Sequence, residues 1–149
     1  LISKNNKLYQ IVFENKISKY LKNAKLRKKR ISNDNLDKCL TSSINQIREY
    51  FTNQRRTFDI KLEMPMPPFY SKVLKEVRNI PYGEVRSYKD IASKVGSPNA
   101  YRATGTANSK NMIPIIIPCH RVIGKNGDLG GYGGGLKIKK YLLKMEGVI

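Results

Sequence analysis

Proline occupies three of the four positions from 65 to 68, within the run Glu63, Met64, Pro65, Met66, Pro67, Pro68. Proline fixes φ and lacks the N–H that helices and sheet ladders both use, so no regular element is expected to run through this segment. A chain of 149 residues is then read as a lobe over 1–62, a junction over 63–68 and a second lobe over 69–149.

In the first lobe, residues 8–13 read as a buried strand, and residues 25–30, five of which are basic, as an exposed turn or edge. Leu36, Leu40, Ile44, Ile47 and Phe51 recur at helical spacing, and Asn33 or Asp34 can cap that helix. Phe58, Ile60 and Leu62 alternate as a strand. The lobe is accordingly mixed α/β.

After the junction, Phe69, Val73, Leu74, Val77 and Ile80 mark an amphipathic helix that must stop before Pro81. Ser87 and Asp90 have the spacing of a capping box and open a helix over 88–95. Gly96 suits the left-handed residue that ends it, Ser97 the cap of a second helix, and Pro98 that helix's first position. The second helix then runs over 98–108. Two short helices so joined form a helix-turn-helix, whose second member can lie in a DNA groove. Its surface is polar with few cations. The fold class expected is α+β: a small α/β N-terminal lobe and a helix-turn-helix, winged-helix-like C-terminal domain that carries the chemistry.

Charge narrows the choice of partner. The chain holds 29 Lys and Arg against 11 Asp and Glu, a net charge of +18. Both lobes share the excess, so the field is global and attracts polyanions, nucleic acid above all. The longest apolar stretch, 112–118, is far short of the roughly 18 residues of a membrane span, and no basic amphipathic anchor is evident. Neither membrane insertion nor secretion is expected. Two cysteines, Cys39 and Cys119, and one histidine, His120, make neither a disulfide framework nor a zinc site. A reducing, cytoplasmic setting and a metal-free protein are expected.

Chemistry concentrates after Ile115, Ile116 and Ile117, three β-branched residues that read as a short buried strand ended by Pro118. Cys119, His120 and Arg121 follow at once. A thiolate is the reactive form of cysteine, and neighbouring cations lower its pKa, so His120 and Arg121 suit an activated nucleophile. In extended backbone the imidazole would reach the thiol through a water. Cys39, in an amphipathic helix and without a histidine, reads as structural. Seven of the twelve residues 124–135 are glycine, but the Gly-Lys-Ser/Thr ending of a phosphate loop is missing. The closing helix over 136–145 is basic, with Glu146 in its last turn where the helix dipole disfavours a carboxylate, which suggests a partner such as His120.

The run from Ile115 to Ile123 resembles the active-site motif of the O6-alkylguanine-DNA alkyltransferases, or methylated-DNA–protein-cysteine methyltransferases. Stretches 81–88, 100–105, 131–136 and 142–147, with Asn111 and Pro114, are also similar to that family's C-terminal domain, whereas 1–62 match only in general character. The resemblance implies single-turnover reversal of damage in double-stranded DNA containing O6-alkylguanine. The lesion base flips out through the minor groove, and its alkyl group passes to Cys119 with no cofactor. It implies that His120 takes the thiol proton through a water, that Glu146 orients His120, and that Asn111 braces the turn. Tyr88 would touch the guanine, protonate it on departure and favour flipping. Arg102 would fill the vacated stack, with Ser97, Ala103, Thr104 and Asn108 at the DNA surface. Pro114, Val122, Tyr132, Gly133 and Gly134 would line the base pocket, the Val122 carbonyl accepting from the guanine amino group. Gly133 stands where some relatives carry serine. A monomer is expected. A related group that carries tryptophan for the cysteine binds lesions without repair, so a lesion sensor is the alternative.

Overall fold

The computed structural model describes residues 1–14, 16, 17 and 38–149. The chain forms two compact units, Leu1–Glu63 and Met64–Ile149. Among the described residues no helix is long and apolar enough to cross a membrane, and no group of three or more His, Cys, Asp or Glu gathers to hold a metal.

In the first unit, β1 (Ile2–Lys4) and β2 (Lys7–Gln10) form an antiparallel hairpin with Lys4 opposite Lys7. Asn5 and Asn6 join them with φ of 52° and 54°, a tight turn that asparagine tolerates better than other side chains. The strand expected over 8–13 is thus shorter and shifted, and only Leu8 within it is fully buried. The strand expected over 58–62 reduces to one parallel bridge between Leu62 and Leu8. There the Leu8 N–H donates to Lys61 O at 2.9 Å, and the Glu63 N–H donates to Leu8 O at 3.0 Å. The basic run 25–30 and the caps Asn33 and Asp34 lie outside the described residues.

Helix α1 (Lys38–Phe51) buries Cys39, Ser43, Gln46 and Tyr50 rather than the apolar stripe read from the sequence. Leu40, Ile44 and Ile47 are half-buried, and Phe51 is 40% exposed. The polar residues go inside because their groups are satisfied there. Ser43 Oγ donates to Cys39 O at 2.7 Å, Gln46 Nε2 donates to Asp59 O at 3.0 Å, and the Asp59 N–H donates to Gln46 Oε1 at 2.9 Å.

The second unit starts its first helix inside the proline run. Pro67 is the N-cap and Pro68 the first residue of α2 (Pro68–Arg78), where proline's missing N–H has no intrahelical acceptor to lose. Val73, Leu74 and Val77 face the core, and the helix ends at Asn79, short of Pro81. Helix α3 (Tyr88–Lys94) opens on the expected capping box, Asp90 N–H to Ser87 Oγ at 3.1 Å and Ser87 N–H to Asp90 Oδ2 at 2.9 Å. Gly96, with φ +78°, closes it in the left-handed conformation, and the Ser97 N–H reaches back to Ala92 O at 2.9 Å.

The second helix of the pair, α4 (Tyr101–Ser109), begins three residues later than expected. Ser97 does not cap it. The Ala100 N–H donates to Ser97 O at 2.8 Å, so residues 97–100 are spent on a turn, and Ala100 becomes an N-cap without a side-chain bond. Helices α2, α3 and α4 pack on one another.

The isoleucine triplet is not a strand. Ile115 has φ +76°, a left-handed conformation unusual for a β-branched residue, and the Ile117 N–H donates to Ile113 O at 3.0 Å. The three side chains are all buried, so the run marks a tight turn driven into the core. Cys119 therefore stands not at a strand end but at the start of a one-turn 3₁₀ helix, Cys119–Arg121. β4 (Val122–Ile123) follows and pairs in parallel with β3 (Arg86–Ser87). After the glycine-rich loop, α5 (Leu136–Met145) closes the unit, with Glu146 as its C-cap.

Candidate active site

Cys119 is 5% exposed and sits in a cavity of about 250 Å³ lined by Tyr88, Gly105, Asn108, Ser109, Cys119, Gly131, Tyr132 and Gly133. Asn111 ties the thiol to the turn before it. Its Nδ2 donates to Cys119 Sγ at 3.0 Å and to Ile117 O at 2.9 Å, and its Oδ1 accepts from the Ile113 N–H at 2.9 Å. Asn108, from α4, donates through Nδ2 to Cys119 O at 3.3 Å. The nucleophile is thus fixed by two asparagines from the C-terminal part of the helix pair and its following turn.

Burial pushes the Cys119 thiol up to about 11; the Asn111 bond and the Lys139 charge pull against that and lose. The resting site therefore holds a thiol. The same burial keeps Tyr88 and Tyr132 protonated, each raised above the usual phenol value. Tyr88 lies between two glycines. A Cβ on Gly130 would come within 3.0 Å of its hydroxyl, and one on Gly105 within 3.8 Å of its ring. A side chain at position 130 would displace Tyr88, which gives that glycine of the loop a definite task.

Behind the thiol, His120 and Glu146 are paired, with Nε2 and Oε1 2.9 Å apart and both side chains fully buried. Arg121 completes the carboxylate's shell: Nε donates to Oε2 and Nη2 to Oε1, each at 2.8 Å, while Nη1 donates to Ile80 O at 2.6 Å. A guanidinium so engaged keeps Glu146 ionised and answers how a carboxylate survives at a helix C-terminus. Arg121 therefore serves Glu146 and not the thiol, contrary to the expectation from sequence. Desolvation lowers the His120 pKa, with Glu146 opposing it, so the imidazole is neutral near pH 7. Its Nε2–H donates to Glu146, and Nδ1, which has no hydrogen-bond partner among the described residues, keeps its lone pair.

Two further groups hold the site. Lys139, fully buried on α5, donates through Nζ to Val122 O at 2.6 Å and to Leu129 O, which ties the 3₁₀ turn's exit to the glycine loop. Burial lowers its pKa to about 8, and it is an electrostatic neighbour of Cys119. Tyr82 donates to Met145 O at 2.9 Å, closing the end of α5 beside Glu146. Sequence reading passed over both. A signal for Lys139 existed, since 139, 142, 143 and 146 share one helical face, which sets the lysine in line with two leucines and the Glu146 carboxylate.

The remaining expected residues distribute unevenly. Tyr88, Asn108, Cys119, Tyr132 and Gly133 meet at the cavity. Val122, Pro114 and Gly134 are buried but do not line it, and the Val122 carbonyl already accepts from Lys139. Arg102 and Ala103 are exposed on α4, with the Arg102 guanidinium over the Tyr101 ring at 5.8 Å, and Ser97 is half-buried in the turn. Thr104 is fully buried, its Oγ1 without a hydrogen-bond partner among the described residues, so its side chain is not part of a DNA-facing surface.

Residues 68–148 match the family model described as 6-O-methylguanine DNA methyltransferase, DNA binding domain. The chain is 50% identical over 109 residues to a methylated-DNA–protein-cysteine methyltransferase of Methanosarcina barkeri, a match covering 73% of this chain and 69% of that one. It is similar to the crystal structure of Mycobacterium tuberculosis OGT in complex with DNA, with TM-score 0.70 and 46% identity over 71% of this chain and 66% of that one. It is also similar to S. pombe Atl1 in complex with damaged DNA containing O6-carboxymethylguanine, with TM-score 0.50 and 37% identity over 56% of this chain and 80% of that one. The chain spans about two thirds of the length of the first two relatives. A DNA-binding-domain match over more than half its length, joined to identities of this size, means that the chain belongs to the methylated-DNA–protein-cysteine methyltransferase family.

Proposed function

We propose that the protein reverses alkylation damage directly, taking an alkyl group from O6 of guanine in duplex DNA onto Cys119 Sγ in a single turnover. The carrying observation is a buried cysteine at the wall of a purine-sized cavity, held by Asn111 and set beside a His120–Glu146 pair.

The step balances without a co-reactant. The Cys119 proton passes through a water to His120 Nδ1, and Glu146 with Arg121 stabilises the imidazolium that forms. The thiolate attacks the alkyl carbon in line, an S–C bond forms, the C–O6 bond breaks, and the electron pair leaves with guanine. Tyr88, held protonated by burial, donates a proton to the departing base, and its phenolate takes one back from solvent once the guanine has left, as the imidazolium gives one up. Because a thioether is a poor leaving group, the protein is consumed. Reaching a paired guanine requires extrusion into the cavity, which costs a few kcal/mol of unstacking. Helix α4 supports that step: it enters the minor groove, and exposed Arg102 takes the vacated place in the stack. The nearly uncharged surface of α4 suits a groove contact that reads shape rather than sequence.

Cys119→Ala tests the reading. Loss of transfer with duplex affinity retained is the expected result, and residual transfer in this variant overturns it. The likeness to S. pombe Atl1 bound to damaged DNA favours one competing reading, lesion binding without repair. Selective binding of O6-methylguanine duplex by the natural sequence with no transfer selects that alternative.

A further inference from the structure

The outward face of α5 carries a feature that alkyl transfer does not use. Lys139, Leu142 and Leu143, with the C-cap Glu146, point inward and are buried. At 100° per residue, Lys137, Lys140, Tyr141 and Lys144 fall about 180° from them and form one exposed stripe, with Tyr141 56% exposed. Two other cations of this unit, Lys94 and Arg86, have acidic partners in Glu76 and Glu84. The three stripe lysines take part in no ion pair among the described residues, and the helix holds no acidic residue in its own turns. None of them lines the Cys119 cavity.

We propose that this stripe is a second nucleic-acid contact, binding the phosphate backbone without sequence preference and apart from the cavity. The chemistry matches that occupant. Three flexible ammonium groups spread over about 10 Å of helix, roughly three base-pair steps at 3.4 Å, are spaced to neutralise successive phosphates. An exposed tyrosine among them offers a flat apolar surface to sugars or an unstacked base. The naming of nucleic acid as the polyanion rests on the DNA repair reading, while the stripe itself rests on exposure and missing counter-charges.

The test uses the full chain and an undamaged duplex, with affinity followed by fluorescence anisotropy across a salt series. The triple variant Lys137→Gln, Lys140→Gln, Lys144→Gln keeps good helix formers. It is expected to bind at least about tenfold more weakly at low salt, and the slope of log affinity against log salt should flatten by about 2 to 3, at roughly 0.9 per phosphate contact. Transfer from free O6-methylguanine base should be unchanged, since the base alone needs no backbone contact. A control triple of equal charge, Lys61→Gln, Lys72→Gln, Lys75→Gln, also changes exposed lysines and should flatten the slope by less than about 1. Equal losses in both triples, which would mark a diffuse field, overturn the proposal, as does an unchanged slope in the first. Failure of the repair reading shows separately, as absence of transfer from the free base by the natural sequence whatever the slopes.

Discussion

At the scale of single residues, the site is governed by where protons rest. Burial pushes the Cys119 thiol up to about 11 in the resting protein, so the proposed transfer needs a base, the role given to neutral His120, and gains from a cation nearby. Lys139 still carries its charge at pH 7. Lys139→Met removes it, and alkylation of Cys119 by iodoacetamide at that pH should slow severalfold relative to Cys39, as read by peptide mapping. An unchanged ratio would show that the lysine only ties backbone. Asn111 makes three hydrogen bonds that fix the thiol and its turn. Asn111→Ala should cost about 2 kcal/mol in urea unfolding, because Ile117 O and the Ile113 N–H lose their partner in a buried turn.

The only histidine in the chain makes a clean probe of stability. Its folded pKa lies below the ordinary 6.5 because burial disfavours the imidazolium. Between that folded value and 6.5 the unfolded chain binds a proton that the folded chain refuses. Stability is therefore whole above pH 6.5 and falls as pH drops through the window, with a limiting slope of about 1.4 kcal/mol per pH unit. Urea midpoints measured from pH 5 to 7.5 should show this fall. Constant stability across the range would contradict a buried neutral imidazole.

At the scale of elements, caps and turns place the reactive groups. Tyr88 is the first residue of α3, so the Ser87–Asp90 box sets the start of the helix that carries it. Ser87→Ala should cost about 1 kcal/mol of stability and reduce transfer from duplex through loss of that setting. Arg102, exposed on α4, acts only on duplex in this account. Arg102→Ala should slow transfer from duplex O6-methylguanine by more than tenfold and leave transfer from the free base unchanged. Equal losses would contradict a flipping role.

These elements also divide what the sequence made legible from what it hid. The capping box, Gly96 and the bounds of α5 were readable because each rests on local chemistry between residues a few positions apart. The isoleucine turn was not, since β-branched side chains favour strands and only tertiary burial holds Ile115 at φ +76°. The buried face of α1 was misread for a related reason. Ser43 and Gln46 gain partners, Cys39 O and the backbone of Asp59, that hydropathy alone does not reveal. In the site, the His120–Glu146 pair was readable from a carboxylate misplaced at a helix end, whereas Arg121 joined that same carboxylate instead of the thiol beside it, a contact that adjacency in sequence does not reveal.

At the scale of the whole molecule, the chain carries a net charge of +18, while the site itself holds the Arg121–Glu146 pair and the buried Lys139. In the proposed repair reaction, long-range attraction and local chemistry are separable: the field would govern encounter with DNA and fall with salt, while the cavity would decide what reacts. Raising salt from 50 to 200 mM should lower the second-order rate of transfer from duplex steeply, yet scarcely alter transfer from the free base. A parallel decline would place the charge effect in the site itself.

The central claim, that Cys119 accepts an alkyl group once, is tested most directly by intact mass and peptide mapping after incubation with a duplex holding one O6-methylguanine. One added methyl per protein, located on Cys119, with guanine restored in the DNA and no further gain on adding more substrate, is the predicted result. An unmodified protein bound tightly to unrepaired duplex, or a methyl group on any other residue, would contradict it.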